Sequence, residues 1–154
     1  MTFLIKNHRI FFLYLDSINT KTMTFKEIQK KIRLLPGASA LIINAPKEYL
    51  ELVSAIKFDT QPGKTKQGQY DFVQVFGSER SELEQLVDKY SGSGKYDCLF
   101  WICYPKGGGK VKSDIKRNIV WEIAGRIGMQ CVSQVAIDET WSALRCRPAE
   151  KVGK

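Results

Sequence analysis

Histidine is almost absent from this chain: His8 is the single one in 154 residues. Ser-His-Asp and Cys-His catalysis, and histidine-rich metal sites, therefore have almost no raw material. Cysteine is scarce too. Cys98, Cys103, Cys131 and Cys146 form no CxxC pair and have no histidine near them, so a zinc site is not expected and no metal ligands are assigned. Their apolar surroundings read as buried free thiols of a reducing cytoplasm. Long apolar runs are missing as well. None approaches the ~20 residues of a membrane helix, and Ile10 to Leu15 is too short for a signal-peptide core and lacks a small-residue cleavage site. A soluble cytoplasmic protein without membrane contact is expected.

What is present is one domain's worth of chain, 44% hydrophobic and 26% charged, long enough to hold a core without disulfides or metal. The formal charge is +8. Residues 1–34 carry seven bases and two acids, so +5 of the excess sits in the first fifth of the sequence. Residues 1–22 mix bases with an aromatic run and fit poorly with the regular pattern of the remaining chain. They read as an extension outside the domain, with Met23 as an alternative start to Met1 and 23–154 as a single domain; the other reading is a short interfacial segment using Phe11, Phe12, Leu13 and Tyr14.

From Thr24 the pattern is regular. Thr24 with Glu27 makes a capping box before Phe25, Ile28 and Ile32, and Pro36-Gly37 ends that helix. Ala38–Asn44 is a continuous apolar strand, Pro46 starts a helix, and Ile56–Asp59 is a short second strand. A polar loop, 60–69, precedes the strand Tyr70–Phe76, a helix capped by Ser78 and a Ser-Gly break. A further strand, Tyr96–Ile102, leads to the loop Pro105–Lys112 and a helix capped by Ser113 that runs to Gly128. Two strands, Cys131–Ile137 and Trp141–Arg147, close the chain about an Asp138-Glu139-Thr140 turn. Strands apolar on both faces and alternating with helices predict a three-layer α/β architecture: a Rossmann-like, mainly parallel sheet with a C-terminal antiparallel strand pair.

In such sheets ligands bind at the carboxyl ends of the strands. That rule gathers Asn44, Pro46, Asp59, Tyr104, Lys106, Asp138, Glu139 and Trp141 as candidate ligand-binding residues, and sends Asp71 and Asp97 to the opposite edge. The loop holding Gly107, Gly108, Gly109 and Lys110 has the glycines and lysines of an anion-binding loop, yet it is no Walker motif, because Gly109-Lys110 is followed by Val111 where that motif needs Ser or Thr; its plain alternative is an exposed loop with solvated lysines. Asp59 stands where related folds hold ribose hydroxyls, and equally reads as a turn residue. Asp138 and Glu139 beside Trp141 suit a base or a ligand grip, or alternatively a turn cap beside a core aromatic. Lysines and arginines at 26–33 and 106–117 raise nucleic-acid binding, without any known motif to go with it.

Leu35-Pro36-Gly37, Ile43-Asn44-Ala45-Pro46 with Tyr49, Tyr104-Pro105-Lys106 and Ile137 to Leu144 resemble the uncharacterised bacterial family called domain of unknown function 3052. That resemblance, over about Lys30 to Arg147, implies a compact relative of the class I methyltransferase fold in a bacterial cytosol and brings no established activity. No catalytic residue is assigned. The leading expectation is a non-catalytic domain that binds a partner protein or small anionic ligand at its carboxyl edge. A reduced S-adenosylmethionine-dependent methyltransferase, with Asp59 on the ribose and Asn44 to Pro46 beside the methionine part, is the first alternative. A basic nucleic-acid-binding module is the second. No cofactor is assured; S-adenosylmethionine is the one considered.

Overall fold

The computed structural model describes residues 24–153, so the early segment and the choice of start lie outside the described residues. The capping box forms as the sequence requires: Thr24 Oγ1 accepts from the Glu27 amide and Glu27 Oε2 accepts from the Thr24 amide. Helix α1 (Phe25–Lys31) then lays Ile28 on the sheet, with Ile32 buried just behind it. Its chain reverses through Arg33, at φ 59°, into β1 (Ala40–Ile43), all four residues of which are buried. Then come α2 (Lys47–Leu52), β2 (Tyr70–Phe76), α3 (Arg80–Tyr90), β3 (Gly94–Pro105), α4 (Arg117–Arg126), β4 (Met129–Ala136) and β5 (Trp141–Pro148).

The sheet order is β1-β2-β3-β5-β4. β1, β2 and β3 pair in parallel, and β5 runs antiparallel to both β3 and β4. β4 therefore points the same way as the first three strands, and the turn joining it to β5 emerges on their carboxyl edge. One face of the sheet carries Leu41, Val73, Val75, Phe100, Ile102 and Leu144 under α3 and α4. The other carries Ile42, Phe72, Phe76, Trp101 and Cys103 under α1 and α2. Both faces are covered, which is why the strands read as unbroken apolar runs.

Three expectations change. The strand expected over 56–59 shrinks to one parallel bridge, Leu41 to Asp59, because the chain turns away through Pro62 and Gly63. Ser78 does not cap α3: its amide donates to Glu82 Oε1 and Glu79 holds the cap position. Ser113 Oγ accepts from the Ile115 amide in a local turn, and α4 starts only at Arg117. No helix among the described residues is long and apolar enough to cross a membrane.

Candidate functional site

At the end of β1 the backbone turns sharply through Asn44, which adopts φ 60°. Asparagine tolerates this left-handed conformation better than other side chains that carry a Cβ, so it does here what glycine does in tighter ligand-binding turns. Its Nδ2 donates to the Phe76 carbonyl at 2.9 Å and ties the ends of β1 and β2 together. Oδ1 of the same amide has no hydrogen-bond partner among the described residues and is left as an acceptor where the two strands end. Pro46 caps α2 and removes one amide from the helix start. Two residues past the end of β2 stands Ser78, whose hydroxyl has no hydrogen-bond partner among the described residues.

The β3 side of the edge is built by the terminal hairpin. Asp138 Oδ1 accepts from the amides of Thr140 and Trp141, both at 2.7 Å, which makes Asp138 a turn-forming residue. Lys106 binds the same turn twice: its amide donates to Thr140 O at 2.7 Å and its Nζ to Asp138 O at 2.5 Å. Trp141 packs edge-on against Phe76, ring centroids 5.3 Å apart, and Phe76 meets Tyr49 at 5.0 Å. Those three rings seal the α2 side of the edge. Tyr104 is buried, with its hydroxyl 3.4 Å from Gln134 Nε2; burial pushes its pKa up, partly opposed by the nearby Arg117 charge.

Gly107 to Lys110 stand exposed above the turn, with Gly108 at φ 77° and the Gly109 amide donating to Lys106 O. A hollow of about 400 Å³ lies between this loop and Glu139 and Thr140. Thus Asn44, Pro46, Tyr104, Lys106, Asp138, Glu139 and Trp141 do share one edge, with the glycine loop beside them.

Asp59 does not join them. It pairs with Leu41, two rungs short of the end of β1, and its carboxylate turns toward the amino edge, where the Tyr70 hydroxyl and Lys66 Nζ bind it. The Tyr70 hydrogen bond, reinforced by Lys66, holds its pKa below the usual carboxylate range. Asp59 instead borders an amino-edge cleft of about 460 Å³ beside Leu35, Ser39, Phe58 and Lys66. Asp71 and Asp97 lie at that same amino edge, bound by Ser39 and Lys95 and by Arg147.

Sequence reasoning missed Gln74. Fully buried in β2, it accepts from the Tyr49 hydroxyl at 2.7 Å and donates to Cys103 Sγ at 3.5 Å. Its signal was a polar residue inside the apolar run Phe72–Phe76. Burial drives the Tyr49 and Cys103 pKa values well upward, so both stay protonated and act as structure. Among the described residues no group of three acidic, histidine or cysteine side chains is placed to hold a metal ion.

No family model matches the chain, and no curated protein matches its sequence. Solved structures do match. A SAM-dependent methyltransferase from Aquifex aeolicus superposes with a TM-score of 0.56 at 11% identity, over 82% of this chain and 90% of that one. The mitomycin 7-O-methyltransferase MmcR gives 0.51 at 9% identity over 81% and 54%, and magnesium protoporphyrin IX methyltransferase of Synechocystis, solved with bound SAH, gives 0.50 at 9% over 79% and 82%. The fold is a Rossmann-like methyltransferase fold. The methyltransferase-like fold that the sequence resemblance implied is thus the fold found, while no family model supports the uncharacterised family itself. In this methyltransferase fold the antiparallel β5 slips between two strands that run together, and that insertion puts Lys106 and Asp138 in contact.

Proposed function

We propose that the chain is a reduced S-adenosylmethionine-dependent methyltransferase that binds its adenosyl cofactor at the carboxyl edge of β1 and β2. The observation that carries this reading is the fold: this chain, with an antiparallel β5 inserted between parallel β3 and β4, superposes on structures whose names state that activity. The donor chemistry at the edge fits the cofactor's polar half. Asn44 Oδ1 offers an acceptor for ribose hydroxyls and the Ser78 hydroxyl offers a donor and acceptor past the end of β2, both held on short turns off buried strands. Asp59 takes no part, because Tyr70 and Lys66 hold its carboxylate. When bound, S-adenosylmethionine supplies an electrophilic methyl group. The protein's share is to hold the ligand over the ends of β1 and β2 and to wall one side with Trp141, Phe76 and Tyr49.

Calorimetric titration of the full chain with S-adenosylhomocysteine tests this directly. Saturable binding is expected, unchanged in Asp59→Asn and weakened about tenfold or more in Asn44→Gly, which keeps the left-handed turn and removes the acceptor.

A second reading is favoured by how thoroughly the edge is tied together. Asp138, Lys106 and the Asn44 amide nitrogen all bind the protein's own backbone. Such an edge suits a rigid non-catalytic surface for a protein partner or small anion. Absence of S-adenosylhomocysteine binding at millimolar concentration selects it.

A further inference from the structure

The ion pairs on α3 and α4 are lopsided. Arg80 and Arg126 collect the acids between these helices: Arg80 binds Glu84 and Glu122, Arg126 binds Glu84 and Asp88, and Asp114 accepts the Arg80 amide at 2.8 Å. The approach to α4 is left with Lys110, Lys112 and Lys116 against one exposed acid, Asp114, and Arg117 opens the helix. Lys110, Lys112, Lys116 and Arg117 are all exposed and form no ion pair among the described residues. One turn along α4 from Arg117 lies Trp121, a large aromatic 47% exposed, with the Arg117 guanidinium carbon 6.0 Å from its ring centroid. Four bases and one acid, Asp114, give residues 110–117 a net charge of +3, and the exposed indole lies one helical turn beyond them.

We propose that the loop 110–116 and the Arg117–Trp121 flank of α4 form a docking surface for single-stranded nucleic acid, the four cations following the phosphates and Trp121 stacking a base. Charge complementarity selects a polyanion, and the exposed indole selects one with free planar faces, which a duplex does not offer. An acidic protein segment would satisfy the lysines and leave the indole without a stacking partner. The surface begins beside the Lys106–Asp138 contact, so a docked strand would reach the carboxyl edge. This inference holds with or without methyl transfer, since it calls on no cofactor.

The test is fluorescence anisotropy of a labelled twelve-nucleotide oligouridine titrated with the full chain at several salt concentrations. Four phosphate contacts predict a slope of log affinity against log salt of about −3. Lys112→Gln with Lys116→Gln should flatten it by about 1.4, and Trp121→Ala should weaken binding roughly five- to hundredfold, with Trp121→Phe recovering most of the loss. Circular dichroism of each variant should match the parent, because every substituted side chain is exposed or half-exposed. No binding at 50 mM salt (a concentration on the order at which such contacts are strong) would overturn the proposal. So would binding that neither variant alters, or heparin and duplex DNA bound as tightly as oligouridine with Trp121→Ala without effect.

Discussion

Gln74 is a full polar side chain set into the centre of β2, and it is tolerated because Tyr49 and Cys103 occupy both ends of its amide. The short Tyr49–Gln74 hydrogen bond joins α2 to the sheet directly beneath the aromatic wall of the candidate site. Tyr49→Phe would leave the Gln74 oxygen buried and unpaired, a cost of about 1–3 kcal/mol in urea denaturation. Adding Gln74→Leu removes both partners and should recover part of that loss; a double variant as destabilised as the sum of the two singles would show that the pair is not coupled. Asp138 belongs to the same scale. Its carboxylate serves two backbone amides, so Asp138→Ala should lower stability by about 1 kcal/mol through the lost turn, by analogy with a lost helix cap, while Asp138→Asn should retain most of it.

At the scale of elements, the amino edge is pinned by carboxylates that the carboxyl edge does not use. Asp97 makes a bidentate contact with Arg147, at 2.9 and 2.7 Å, tying β3 to β5, and Asp71 joins Ser39 to Lys95. The Arg147 hydrogen bonds hold the Asp97 carboxyl below its ordinary range, and the Lys95 and Ser39 hydrogen bonds do the same for Asp71. Since both folded values are depressed, their stabilisation is complete above the unfolded value of about 4 and is lost as the pH falls below it. Thermal melts from neutral to acid pH should show this decline, and Asp97→Asn should make it shallower; an unchanged acid limb would contradict the assignment.

The elements themselves were largely legible. Thr24 and Glu27 announced α1, and the double-faced apolar runs announced β1 to β3, because local hydrogen bonding and burial dictate both. Ile56–Asp59 misled because its short apolar stretch fits a strand, whereas only Asp59 finds a place beside β1. The carboxyl-edge residues were recovered from strand order alone. The functions of Asp59 and Gln74 were not, since they depend on Tyr70, Lys66, Tyr49 and Cys103 arriving from other elements.

For the whole molecule, two regions compete as the working site. The carboxyl edge has Asn44, Ser78 and the glycine loop, while the amino edge has the 460 Å³ cleft beside Leu35 and Asp59. Fold geometry favours the first, because ligands of parallel sheets bind where the strands end. The amino-edge cleft is bounded by an aspartate already engaged by Tyr70 and Lys66. The direct test is to map amide chemical-shift changes in the isotope-labelled full chain as S-adenosylhomocysteine is added. The account predicts saturable shifts at Asn44, Ala45, Gly77 and Ser78, with those of Ser39, Phe58 and Lys66 unmoved. Shifts confined to Ser39, Phe58 and Lys66, or none at millimolar ligand, would contradict it.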